Sequence, residues 1–182
     1  MPYFATRTEI GPVTEPDAVR FAAEVAGIQP GLLGAYWTPT RGQVFAVHEA
    51  AAPPGTGPDY PGEAFPVLPI TAEEYGPPAL EPAAGAGEGL QLVLVRRQLS
   101  PLTEAQFRAV ALQAIMCAHE YDDMLWLRSY WDVEQNQLNC LFRTRTHDLV
   151  REHAARSRIP CDEINDAVEI FHTKDAKGAK LL

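Results

Sequence analysis

The feature that most constrains this chain is that parts of it occur twice, in the same order. Pro12-Val13-Thr14-Glu15 returns as Pro101-Leu102-Thr103-Glu104, each copy after a short β-rich run and before a helical one. Ala35-Tyr36-Trp37 returns as Ser129-Tyr130-Trp131. Gln43-Val44-Phe45-Ala46-Val47 then aligns without gaps over Gln137-Leu138-Asn139-Cys140-Leu141. Ordered matches at near-constant spacing point to a duplicated unit. The 182 residues suffice for two small units or one larger domain with a proper core.

The second copy reads as βαββαβ. Leu90 to Arg97 is a β-rich run. Thr103 then caps a helix, with Gln106 three residues on as in a capping box. Phe107, Val110, Ala111, Ala114, Ile115 and Ala118 fall at helical spacing and form one apolar stripe. Met124 to Trp131 and Gln137 to Arg143 predict a hairpin turning at Asp132 to Asn136. Thr146 caps a second helix that runs to Arg158 and is stopped by Pro160, and Ile164 to Phe171 predicts the last strand.

The first copy keeps βαββ: Tyr3 to Glu9, Glu15 to Ala26, Leu32 to Thr38 and Gln43 to Glu49. Nine of the sixteen prolines then fall within residues 53–82, where a regular helix cannot run. Tyr60, Phe65, Val67, Leu68, Ile70 and Tyr75 punctuate that segment, which predicts an ordered wrap. Within it, Ala64 to Ile70 reads as an edge strand, the place where strands tolerate proline, and Thr71 to Tyr75 as one helical turn. The expected organisation is a partial repeat over 1–52, a connector over 53–89, a complete repeat over 90–173 and a basic tail over 174–182.

The net charge of −9 is uneven: residues 1–95 carry three arginines against eleven carboxylates, and all three lysines lie in the last nine residues. The absence of a basic patch with interleaved aromatics argues against nucleic acid as a partner. No apolar run approaches the ~20 residues of a membrane helix, and the N-terminus lacks the layout of a signal peptide. A cytoplasmic location is therefore expected. Cys117, Cys140 and Cys161 are widely spaced, without a Cys-x-x-Cys pair, and read as reduced thiols.

Residues 90–171 resemble a family of small bacterial ferredoxin-like proteins typified by an actinobacterial nickel-binding protein. The resemblance rests on Leu94-Val95-Arg96-Arg97, Leu102-Thr103-Glu104-Ala105-Gln106-Phe107, Leu127-Arg128-Ser129-Tyr130 and Asn139-Cys140-Leu141-Phe142. Its longest stretches are Leu149-Val150-Arg151-Glu152-His153-Ala154 and Ile159-Pro160-Cys161-Asp162. The first copy joins through Phe45-Ala46-Val47-His48-Glu49-Ala50. Arg143 and Thr144 depart from the family's usual Glu-Ala. The resemblance implies an α+β fold of tandem ferredoxin-like repeats, the first degenerate. Because members usually dimerise through open sheet faces, it also implies pairing of the repeats as an intramolecular dimeric α/β-barrel-like unit.

Strand alternation sorts side chains by face. Leu125, Leu127, Leu138, Cys140 and Phe142 are expected beneath the helices, with Trp126, Arg128, Tyr130, Asn139, Leu141 and Arg143 on the open face. By the repeat alignment, Tyr36, Phe45, Val47 and Glu49 take the open face of the first copy, and His48 falls in its core. Two readings stay open. One is a ligand pocket using Tyr36, Glu49, Trp126, Arg128, Tyr130 and Arg143, whose arginine forks suit an anionic or aromatic molecule. The other is an Arg–Glu bridged interface with no ligand. His153, on the inner face of its helix, reads as a core histidine or as a metal ligand. With His119 and Cys140 it would make a soft nitrogen–sulfur site for nickel or another divalent metal.

Three function classes follow: a binding protein for a small ligand or a metal such as nickel, an enzyme of the dimeric α/β-barrel type, or an assembly module, with a homo-oligomer compatible with each. The sequence contains no Gly-x-Gly-x-x-Gly, Walker lysine or Gly-x-Ser-x-Gly. His119-Glu120 is not a zinc-protease motif, because Asp123 stands where the second histidine is needed.

Overall fold

The period-2 runs of β-branched, aromatic and leucine residues form strands close to their expected bounds in the computed structural model. It describes residues 1–28, 31–55, 62–71, 89–173 and 179–180. The order is β1 (Tyr3–Glu9), α1 (Glu15–Ile28), β2 (Leu32–Thr38), β3 (Gln43–Glu49), β4 (Gly62–Ile70), β5 (Gln91–Gln98), α2 (Glu104–Ala118), β6 (Met124–Asp132), β7 (Gln137–Thr144), α3 (His147–Ser157), β8 (Glu163–Asp166), β9 (Val168–Thr173) and β10 (Ala179–Lys180). The fold is α+β with antiparallel strand pairing. The helical turn expected at Thr71 to Tyr75 lies, apart from Thr71, outside the described residues, as does most of the 53–89 connector. Among the described residues, no helix is long and apolar enough to cross a membrane.

The chain divides into two units. The first comprises Met1–Val67 and Asp166–Leu182. Its strands run in the order β10-β9-β2-β3-β1-β4. Ala35, Trp37, Val44 and Ala46 pack with Ala18 and Phe21 of α1 and with Ile170 and Phe171 of β9. The β2–β3 turn closes on Gly42, whose positive φ of 60° and proximity to the Gly11 carbonyl, 2.4 Å from where a Cβ would stand, leave no room for a side chain.

The second unit is Leu68–Asn165, with strand order β6-β7-β5-β8. The Thr103 side chain accepts from the Gln106 backbone N–H, and the Gln106 side chain accepts from the Thr103 N–H, completing the capping box that starts α2. Thr146 caps α3 in the same sense, and Arg158 ends it in a left-handed conformation. Phe107, Ala111, Ile115 and Ala118 of α2 and Val150 of α3 bury against Val93, Val95, Leu138, Cys140 and Phe142. The Phe107 ring stacks on Trp131 at 3.8 Å.

Two strands differ from expectation. The run predicted as one last strand breaks at Ala167: β8 neighbours β5 in the second unit, whereas β9 pairs with β2 in the first. Strand β4 likewise divides, between Val67 and Leu68. Residues 62–67 pair with β1, and Leu68–Ile70 pair with Ser129–Trp131 of β6. Among the described residues each stretch has one paired neighbour, so Pro66 and Pro69 remove no donor from a doubly paired strand.

Candidate functional site

Three inward positions of β5 follow its alternation: Val93, Val95 and Arg97. The first two are ordinary core residues, and the third is a fully buried guanidinium, 0% exposed. Arg97 opens onto a cavity inside the second unit, between the sheet and the two helices. Ser129, Cys140 and Phe142 line it from β6 and β7, Ala114 from α2 and His153 from α3. The space is small. The cavity volume is about 30 Å³, room for roughly two waters.

Two of the lining residues, Arg97 and His153, carry polar atoms that are only partly satisfied. Nη1 of Arg97 donates to the Pro160 carbonyl, while Nε and Nη2 have no partner. The guanidinium carbon lies 5.9 Å from the Phe142 ring centroid. His153 is 1% exposed, and its Nε2 lies 2.9 Å from the Ala114 carbonyl. A carbonyl only accepts, so Nε2 carries the proton and Nδ1, which has no partner, is a bare acceptor. Burial is the main cause of the lowered pKa of His153. The Ala114 hydrogen bond opposes it, and the charges of Arg97 and Arg156 push the same way as burial. Ser129 Oγ accepts from Trp126 Nε1 at 2.9 Å, which leaves its own hydroxyl proton free to serve another acceptor.

Arg97 is a candidate site residue that was not among those expected from the sequence. It stands in the Arg96-Arg97 pair, which looks like a solvated doublet. The available signal is alternation: with Val93 and Val95 inward, Arg97 must be inward too. Its neighbour Arg96 is on the other face, paired with Glu163 at 2.8 Å.

The expected site residues fall in several places. Trp126 is a correction. It was expected on the open face, but it belongs to the core beneath the helices with Leu138, Cys140 and Phe142. The cause is a bulge between Trp126 and Arg128. The extra residue, Leu127, breaks the alternation, so Trp126 and Ser129 both point toward the helices. Leu125, expected in the core, pairs with Arg143 and shares its face instead. Past the bulge, Arg128 and Tyr130 lie opposite Leu141 and Asn139 as expected, and the half-buried Arg143 shares that face. In the first unit Tyr36 pairs with Phe45, away from the α1 side. Glu49 stands at the end of β3, 3.5 Å from the Met1 ammonium.

Of the soft-donor set, Cys140 and His153 line the same cavity, but His119 does not. His119 caps the C-terminus of α2, where partial burial lowers its pKa. Among the described residues, no group of three or more His, Cys, Asp or Glu stands close enough to hold a metal ion. His48 is buried in the first unit, as expected.

Residues 94–166 match the family described as "Nickel responsive protein SCO4226-like". This is the family whose motifs the sequence resembles. A crystal structure from Fusobacterium nucleatum, provisionally described as a monooxygenase, has a TM-score of 0.47 and 9% identity, covering 99% of this chain and 96% of its own. No curated protein matches the chain.

Proposed function

We propose that this chain is a small binding protein whose ligand occupies the helix–sheet cavity of the second unit. The observation that carries this reading is a mostly apolar cavity whose lining includes Arg97 and His153, two side chains that keep buried polar atoms without partners: Nε and Nη2 of Arg97 and Nδ1 of His153. Buried donors and acceptors are almost always paired, and leaving a charged one unpaired costs several kcal/mol. A bound ligand offsets that cost. Filling the cavity by Ala114→Met tests the reading. Formate, formamide and Ni²⁺, titrated calorimetrically, should include at least one that binds the wild type and fails to bind the filled variant. Equal heats from both proteins for all three probes would refute it.

The binding unit is one half of a duplication, and pairing registers support that reading. Ala35↔Ala46, Tyr36↔Phe45 and Trp37↔Val44 in the first unit correspond one for one to Ser129↔Cys140, Tyr130↔Asn139 and Trp131↔Leu138 in the second. Both hairpins bulge at the matching place, at Leu33 and at Leu127. The orders β2-β3-β1-β4 and β6-β7-β5-β8 are the same arrangement of first, second, third and fourth strands, that of a ferredoxin-like repeat. The position matching Arg97 in the first copy is Thr8, which also pairs one step inward of the hairpin end. The charged cavity is thus a property of the second copy.

Nickel is the second reading, favoured by the family that matches residues 94–166 and by the sharing of one cavity by Cys140 and His153. Thiolate and imidazole suit such a metal. Arg97 opposes it, since a buried guanidinium repels a divalent cation. Saturable Ni²⁺ binding by untagged protein, lost in both His153→Ala and Cys140→Ser, is the result that would establish it.

A further inference from the structure

We infer that the cavity of the second unit binds a small planar oxyanion, held side-on by Nε and Nη2 of Arg97. This rests on the binding reading above and names the class of ligand.

The argument begins with which guanidinium atoms are free. Of the three nitrogens, Nη1 is anchored to the Pro160 carbonyl, and the two left over are Nε and Nη2. These two share one edge of the planar group, and their N–H bonds run parallel. Their spacing matches the two oxygens of a carboxylate or a similar planar oxyanion, the fork geometry that makes such pairs bidentate. The anchor at Nη1 fixes the plane, so this edge is presented ready-made. A guanidinium keeps its charge in proteins. None of the residues lining this cavity is an aspartate or a glutamate, so the lining supplies no counter-charge.

The remaining wall chemistry limits the ligand further. Nδ1 of His153 is a bare acceptor in the neutral ring, suited to a ligand O–H. The Ser129 hydroxyl retains a proton to donate after accepting from Trp126. Bicarbonate carries an oxyanion edge and a hydroxyl on one carbon, so it meets both demands. Formate meets the first alone. The limited room favours the smallest acids, and the apolar remainder of the wall, including Phe142 and Ile115, disfavours a multiply charged ion.

The experiment compares formate and bicarbonate with formamide, a neutral molecule of formate's shape. Binding is followed in the untagged 182-residue protein by thermal shift and by the Nε–H resonance of Arg97 in ¹⁵N spectra. The anions should raise the melting temperature saturably and move the Arg97 resonance, with formamide at least ~10-fold weaker, as expected when a charge-assisted pair is lost. In Arg97→Met the anion-dependent shift should vanish. The wild-type resonance keeps the test decisive even where that variant folds poorly. Formamide or Ni²⁺ binding in the cavity while both anions leave the Arg97 resonance unmoved overturns the oxyanion and spares the binding reading. No response to any of the four probes overturns both.

Discussion

Acidification should destabilise the first unit through a single buried imidazole. His48 sits in β3 at 0% exposure, with Nε2 3.5 Å from Thr6 Oγ1 and Nδ1 without a partner. Burial, which penalises the charged ring, lowers its pKa to about 4. In the unfolded chain the same ring titrates near ~6.5. Between those values the unfolded state binds the extra proton, so stability present above pH 6.5 is lost as pH falls toward 4 and is constant below that. A gap of about 2.5 units at ~1.36 kcal/mol each gives a loss of about 3 kcal/mol. His48→Leu keeps the volume and removes the titration. Urea denaturation at pH 7, 5.5 and 4 in both proteins isolates the His48 contribution, because acid-sensitive carboxylates and His153 act equally in each. Trp37 reports the first unit and Trp126 and Trp131 the second. The variant should lose about 3 kcal/mol less than wild type across this range. Parallel losses in the two proteins, or a His48 NMR titration centred near 6.5, would refute the reasoning.

Phe107→Ala removes a ring stacked on Trp131 beneath α2 and should cost about 3–5 kcal/mol. A loss under ~1 kcal/mol in urea denaturation would mean that the site collapses around the gap. His153→Ala orphans the Ala114 carbonyl and should destabilise by about 1–3 kcal/mol, with nickel and zinc heats unchanged from wild type. Unchanged stability with abolished nickel binding would reverse that assignment. Thr103→Ala removes half of the capping box and should cost about 1 kcal/mol, measurable as a shift in urea midpoint.

Local chemistry determined most of the element map. The Thr103–Gln106 box, the Thr146 cap and the two hairpins are readable because capping and strand alternation depend on residues a few positions apart. The burial of His48 and His153 was readable for the same reason: each lies on the apolar face of its own element. The strands expected at Leu32 to Thr38 and Gln43 to Glu49 pair with each other, as do those expected at Met124 to Trp131 and Gln137 to Arg143.

Tertiary structure decided what alternation cannot see. A bulge at Leu127 leaves no mark in composition, yet one inserted residue turned Trp126 into the core and Leu125 out of it. The break at Ala167 lets β9 pair with β2, more than a hundred residues away, which no local pattern specifies. Which soft donors share a cavity was equally nonlocal: Cys140 and His153 both line it, and His119, the C-cap of α2, lies beyond the α2 residues that do. The anchor of Arg97 makes the same point. Alternation with Val93 and Val95 is a local signal for its inward side chain. Only the folded chain brings the Pro160 carbonyl to Nη1 and leaves the Nε–Nη2 edge open.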